Sequence, residues 1–296
     1  MDSIASPFST VERFVFRGRD FFIKRDELID PLLSGNKYRK LYTLIRADTE
    51  QYNSIVSCGG MQSNAMLSIA ALCRQKGWAF HYTSKPVPPR LKSLPTGNLK
   101  VALELGMQLH EVAAEDYPQL TRALKSQTDA STLFVPQGGA DPLAQAGIEI
   151  LAQEIRRWQL ETGIENLHVV TPSGTGTTAF YLATSLPDAQ LLTTATVGDT
   201  AYLLKQMQVL GAVPENLRIL ENAKKHHFAK PYAELLEIYN ELKDAGITFD
   251  LIYGANMWFT LLQHIHAIDG PVLYVHSGGL IGNETMLDRY RHKSLC

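Results

Sequence analysis

Three cations crowd one turn of this chain: Lys37, Arg39 and Lys40 in SGNKYRK (34–40), straight after a Gly-Asn turn and at the expected start of a helix. A helix N-terminus already carries partial positive charge, so cations are disfavoured there. Either the turn is a solvated surface feature, as most lysines are, or it holds an anion or a reactive carbonyl. A lysine whose pKa is depressed is a nucleophile toward an aldehyde.

Four glycine-containing loops follow expected strands: CGGMQSN (58–64), VPQGGAD (135–141), TPSGTGTTA (171–179) and HSGGLIGN (276–283). Loops of this kind aim backbone N–H groups and hydroxyls at a ligand above a helix N-terminus, which suits phosphate. The strongest is Ser173-Gly174-Thr175-Gly176-Thr177-Thr178. It is not a Walker loop, because no Gly-Lys-Ser/Thr follows. It does fit Gly-x-Gly-x-x-Ala through Gly174, Gly176 and Ala179, with Asp199 about twenty residues on, so a dinucleotide reading stays open. So does a plain tight turn. In CGGMQSN, Gln62, Ser63 and Asn64 stand at a helix start, where Ser63 or Asn64 also suits an N-cap. Pyridoxal phosphate has both a phosphate that needs a cradle and an aldehyde that needs a lysine. It would explain why Lys37 coexists with a distant Gly/Thr loop.

The elements that must position these residues are short apolar strands alternating with helices. SIVSC, WAFHYT, MQLHEV, TLFVP, NLHVVTP, LLTTATV, LRIL, FDLIY and VLYVHS read as strands. SNAMLSIAALCRQKG, NLKVALELG, DYPQLTRALKSQ and PLAQAGIEILAQEIRRWQL read as helices. Such alternation predicts right-handed crossovers and mostly parallel sheets. More than eight strand candidates exceed one comfortable sheet. The expectation is a two-lobed α/β fold, with residues 1–52 and 143–296 as a large cofactor-binding domain and 53–142 as a small α/β domain. An ordinary hairpin, FVFRGRDFFIKRDE, precedes the cationic turn.

Composition narrows the partners. The 296 residues are 45% hydrophobic with a net charge of −2, which argues against nucleic acid or an anionic membrane as partner. No apolar run spans a bilayer, and MDSIASPFSTVERF does not read as a secretory signal, so a cytoplasmic location is expected. Cys58, Cys73 and Cys296 are widely spaced, as in a reducing compartment, and suggest neither disulfides nor zinc. Cys58 reads as a buried small residue and Tyr274 as core. His264 and His266 do not face one another on a helix, so no metal pair is expected. His226 and His227 read as a solvated pair beside a loop.

From KRDE (24–27) to HSGG (276–279) the chain resembles the fold-type-II, tryptophan-synthase-β-like pyridoxal phosphate enzymes. It is most similar to the family of 1-aminocyclopropane-1-carboxylate (ACC) deaminase and D-cysteine desulfhydrase. KRDEL…SGNKYRKL looks like the Schiff-base segment, which implies that role for Lys37 and a phosphate contact for Lys40. VSCGGMQSN implies that Asn64 bonds the ring hydroxyl, that Ser63 serves the substrate carboxylate or proton transfer, and that Gln62 lies on the substrate side. PSGTGTTA implicates Thr175, Gly176, Thr177 and Thr178 in phosphate binding. Tyr253 stands where the family has a tyrosine facing the cofactor, and Ser277 would bond the pyridine nitrogen.

The chain departs from the ACC deaminases at Gly254, where they have Glu, and at Ser277, where they have Leu; at Gly254 it departs from the desulfhydrases too, which have Thr there. KKHHFAKPYAEL is shorter than the corresponding family loop and has no clear second tyrosine; Tyr232 and His227 are the nearest residues. A neutral hydroxyl at Ser277 leaves the ring a weaker electron sink, which suits β-elimination better than opening of an unactivated ring. The resemblance therefore implies a deaminating lyase acting on a small amino acid and releasing keto acid, ammonia and sulfide, with no metal, in a homodimer. ACC deamination is the alternative, and a catalytically weak pyridoxal phosphate binder is the alternative of another class. A nucleotide-dependent oxidoreductase is remote.

Overall fold

The computed structural model describes residues 8–33, 35–139 and 142–295; residues 1–7, Ser34, Ala140, Asp141 and Cys296 lie outside these. The chain begins with the expected hairpin, β1 (Val11–Phe16) and β2 (Arg19–Lys24). Arg17 and Gly18 both take positive φ (47° and 74°), the two-residue turn whose twist matches that of its strands. Two short helices follow, α1 (Asn36–Lys40) and α2 (Tyr42–Arg46).

Next come β3 (Ser54–Cys58), α3 (Asn64–Lys76), β4 (Ala79–Ser84), α4 (Pro89–Ser93), α5 (Gly97–Glu104), β5 (Gln108–Glu111), α6 (Tyr117–Leu124) and β6 (Thr132–Val135). The remainder is α7 (Ala144–Thr162), β7 (His168–Val170), α8 (Thr177–Ser185), β8 (Gln190–Thr193), α9 (Thr200–Gln208), β9 (Leu217–Ile219), α10 (Ala233–Asp244), α11 (Gly254–His264), β10 (Val272–Val275) and α12 (Gly282–His292).

The strands form two sheets, ordered β1-β2-β10-β7-β8-β9 and β5-β4-β3-β6. Every pairing is parallel except that of β1 with β2. One face of the larger sheet packs on α10, α11 and α12 around Trp258, which Phe14, Phe16, Phe21, Phe249 and Tyr274 surround. The opposite face packs on α7, α8 and α9 through Leu151, Leu182, Leu203 and Met207. The smaller sheet shares a core with α3 and α5, and Tyr38, Leu41, Leu44 and Ile45 of α1 and α2 join it.

This topology places the loops. β7 and β10 are neighbours, yet α8 after β7 and α12 after β10 pack on opposite faces. Their loops diverge and leave a crevice at the strand C-termini, the usual ligand position in an open parallel sheet.

The expected strand FDLIY is corrected: Leu251–Tyr253 form a turn that enters α11. The Asp250 carboxylate accepts the backbone N–H groups of Ile252 (3.1 Å), Tyr253 (2.6 Å) and Gly254 (2.8 Å). Satisfying these donors locally starts a helix and removes them from any sheet.

Candidate active site

Residues from all four glycine loops and from α1 line one cleft: Asn36, Lys37, Lys40, Asn64, Gly138, Pro172 through Thr178, Tyr253 and Ser277. Lys37 and Lys40 thus meet Asn64, Thr175, Gly176, Thr177, Thr178, Tyr253 and Ser277, although more than two hundred residues separate the ends of this set. Ser63 and Gln62 are not on the wall. Ser63 caps α3 by accepting the Met66 N–H at 3.3 Å, and it also bonds Tyr82. The Gln62 amide is committed within the protein: Nε2 donates to Thr96 O (3.0 Å), while Oε1 accepts from Asn98 N (2.9 Å) and Thr285 Oγ1 (3.1 Å).

α1 is held from several sides. Gly35 takes φ 43°, and a Cβ there would lie 2.4 Å from the Ser277 carbonyl, so the residue before this helix must be glycine. Asn36 N–H donates to Ser277 O at 3.2 Å, tying the start of α1 to the β10 loop. Behind it, Gly147 of α7 touches the backbone of α1: an added Cβ would meet Arg39 O at 1.9 Å. Arg39 is fully buried and donates to Asp26 (3.0 and 2.8 Å) and to Glu154 (2.6 and 2.9 Å). Lys24 completes this layer at 2.5 Å from Glu154 and also bonds Ser9.

On the cleft side the two lysines lack such partners. The Lys37 ammonium has one hydrogen bond among the described residues, to Asn36 Oδ1 at 3.2 Å. Burial lowers its pKa to about 8, against the opposing charge of Asp250. Lys40 is buried and held well below the usual ammonium range, first by burial and then by the charge of Lys37. Its Nζ donates to Gly138 O (3.2 Å) and lies 3.5 Å from Thr175 Oγ1, which bonds Thr177 Oγ1 at 3.0 Å.

Opposite Lys40 stands the N-terminus of α8, capped by no side chain. Thr178 Oγ1 is buried there without a hydrogen-bond partner among the described residues. Hydroxyls, a lysine and the first turn of a helix around one orphaned donor are the chemistry of a phosphate cradle. Asp199 lies elsewhere: it caps α9, accepting the Tyr202 N–H at 2.8 Å. It is not on the cleft wall, so the dinucleotide pattern loses its acid.

The loop bearing Ser277 is set by His276. Burial brings this histidine down to about 4, so the ring is neutral. Nε2–H donates to Thr248 O (2.8 Å), and Nδ1 accepts the Gly278 N–H (3.1 Å). The Tyr253 ring packs on the phosphate-type loop, 3.2 Å from where a Gly174 Cβ would sit. Gly254 also has a local reason, since a Cβ would lie 2.9 Å from Phe249 Cβ and 3.0 Å from Asp250 Oδ2.

The sequence reading missed Arg39 as a brace, and it missed Phe228, whose ring stands edge-on to Tyr253 at 5.8 Å. The expectation of a solvated His226–His227 pair is corrected for His226. Its side chain is 5% exposed and bonds Asn222 (3.1 Å) and Glu234 (3.1 Å). Tyr232 does not serve the cleft: its hydroxyl accepts the His227 N–H at 3.0 Å.

The chain is 28% identical to a D-cysteine desulfhydrase of Serratia proteamaculans, covering 93% of this chain and 91% of that one. It is 26% identical to a bifunctional D-cysteine desulfhydrase/1-aminocyclopropane-1-carboxylate deaminase, mitochondrial, of Arabidopsis thaliana, covering 92% and 75%. The fold matches the crystal structure of an ACC deaminase homologue with a TM-score of 0.78 at 20% identity (97% and 95% covered). It matches the crystal structure of a T.th. threonine deaminase with a TM-score of 0.67 at 16% identity (93% of each covered). No helix among the described residues is long and apolar enough to cross a membrane. With Lys37, Lys40 and the first turn of α8 lining one cleft, and with residues 6–255 matching the model of the pyridoxal-phosphate dependent enzymes, the chain belongs to that family.

Proposed function

We propose that the protein is a deaminating lyase of the D-cysteine desulfhydrase type, converting a small β-substituted amino acid to a keto acid, ammonia and sulfide. The observation that carries this reading is Lys37: a half-buried amine with its pKa lowered to about 8, on the wall of the cleft that also holds Thr175–Thr178. Bound pyridoxal phosphate supplies an aldehyde for attachment and a ring that withdraws electrons from the substrate Cα.

The chain's own residues do the rest. Lys40, Thr175, Gly176, Thr177 and Thr178 bind the phosphate. Asn64 holds the ring hydroxyl, and the Ser277 hydroxyl faces the ring nitrogen. Lys37 takes the α-proton as general base; with its pKa lowered from 10.5 to about 8, a far larger fraction of the amine is unprotonated near neutral pH than for an ordinary lysine. Tyr253 covers the reacting centre and directs a proton toward the leaving group. Ser63, next to the cleft-lining Asn64, is assigned the substrate carboxylate by the resemblance, and Gln62 braces their loop. The division into domains 1–52 with 143–296 and 53–142, and assembly as a homodimer, belong to the same proposal.

ACC deamination is the second reading, because the Arabidopsis relative bears both names. The neutral hydroxyl of Ser277 favours elimination.

The test is the visible absorption of the protein with pyridoxal phosphate, then with D-cysteine and ACC added separately. The expected result is a cofactor band, lost in Lys37→Ala, that shifts with D-cysteine as sulfide is released and ignores ACC. Absence of any band sinks the role of Lys37. A band that shifts with ACC and yields ammonia without sulfide from D-cysteine replaces the first reading with the second. A band with no turnover of either leaves the chain a weak cofactor binder.

A further inference from the structure

One exposed aromatic side chain touches a residue of the cleft wall. Phe228 is 50% exposed. Its ring meets Tyr253 edge-on at 5.8 Å and 62°. Tyr253 in turn lines the cleft and packs on Gly174. An exposed phenylalanine on a mobile loop would mean little, but this loop is pinned from beneath. Asn222 Nδ2 bonds His226 (3.1 Å), Asn256 (3.3 Å) and Thr260 (3.1 Å). The His226 ring packs against Tyr232 and Phe259. Lys230 N–H closes a turn onto His227 O at 3.1 Å, and Arg289 holds Ala229 O at 2.7 Å. Phe228 is at the tip of that turn. The polar candidates on the same loop point their bonds elsewhere, Tyr232 into the loop backbone and His226 into Glu234.

We propose that Phe228 is a specificity-determining residue: with Tyr253 it forms an apolar wall that selects amino acids carrying an alkylthio or arylthio group on Cβ over those carrying a free thiol. This rests on the lyase reading above and names its substrate class. An aromatic ring in the substrate would cover the exposed half of Phe228 and meet it in the same edge-to-face manner as Tyr253 does. A free thiol would cover little of it and would find no polar partner on Phe228. The chemistry balances without another reagent. Lys37 removes the α-proton, the electron pair of that bond becomes the Cα–Cβ double bond, and the Cβ–S bond breaks. The thiolate leaves and takes a proton as a thiol. One water then converts the enamine to 2-oxo acid and ammonia.

The experiment compares cysteine and S-phenylcysteine, each as both enantiomers, on the cofactor-loaded protein and on Phe228→Ala and Phe228→Tyr. Equilibrium binding is read from the cofactor absorption, kcat/KM from keto acid release, and the thermal midpoint from circular dichroism. Wild type is expected to bind and turn over S-phenylcysteine about tenfold better than cysteine. In Phe228→Ala that preference should vanish through KM, with the midpoint and cysteine turnover unchanged; Phe228→Tyr should restore most of it. Equal losses for both substrates, or a fallen midpoint with them, would show that Phe228 only packs Tyr253 and would overturn the proposal. So would a wild type that prefers cysteine, or a band that neither amino acid perturbs. If binding shows the preference but no keto acid forms, the lyase reading fails while the wall stands.

Discussion

The two sides of α1 hold cations in opposite ways. Behind the helix, Arg39 and Lys24 are buried against Asp26 and Glu154, a closed set of two positive and two negative charges. Burial alone would raise the Asp26 carboxyl, but the Arg39 guanidinium holds it below the usual carboxylate range. In front, Lys40 is buried and Lys37 half-buried, yet no carboxylate pairs with them among the described residues. A paired buried charge is structure; an unpaired one waits for an anion or gives up its proton. One short helix thus separates a brace from a binding surface, and each side can be broken independently.

The largest effect should come from the brace. Arg39→Met leaves Asp26 and Glu154 facing Lys24 alone, and is expected to cost about 3–5 kcal/mol in urea unfolding. A cost below about 1 kcal/mol would mean that the ion set is not what holds α1. On the front side the sign for the cofactor-free protein reverses. Lys40→Met removes a strained charge, so stability without cofactor should hold or rise. Affinity for pyridoxal phosphate should fall roughly ten- to hundredfold, the worth of a charge-assisted hydrogen bond. Equal affinity in an equilibrium titration would remove Lys40 from the cradle.

The third prediction concerns pH. In the cofactor-free chain Lys37 titrates at about 8, below its ordinary value of 10.5. Between those values the unfolded chain binds more protons, so the Lys37 contribution to stability improves as pH rises through this window; below about 8 it is a constant penalty. Lys37→Met should therefore exceed wild type in urea midpoint at pH 7, with the gap shrinking toward pH 10.5. A gap that ignores pH would place the ammonium in water. The smallest effect belongs to Asp199→Ala, which loses the cap of α9 at a cost of about 1 kcal/mol and should leave cofactor affinity untouched. A large loss of affinity there would revive the dinucleotide reading.

Much of the site was legible in the chain because its chemistry is local. SGNKYRK breaks a helix rule within seven residues, and the Gly/Ser/Thr loops announce backbone donors wherever they occur. The hairpin followed from Arg17-Gly18, and the parallel sheets from alternating strand and helix patterns. FDLIY misled because its apolar run suits a strand, while the competing bonds from Asp250 to three backbone donors leave no trace in hydrophobic pattern. His226 misled for a similar reason, since its partners Asn222 and Glu234 become neighbours only through the fold.

Taken by itself, then, the sequence determined which residues could do the chemistry: a lysine poised against charge rules, hydroxyl-rich loops at strand ends, and a tyrosine and a serine beside them. Only the tertiary structure decided which of these meet. Crossovers that send α8 and α12 to opposite faces open the crevice between β7 and β10, and those contacts depend on strand order. Burial decided the rest. Whether a lysine is a solvated cation or a nucleophile, and whether an arginine is a surface charge or a brace, depends on the water and the carboxylates around it, and these are set by residues far away in the chain.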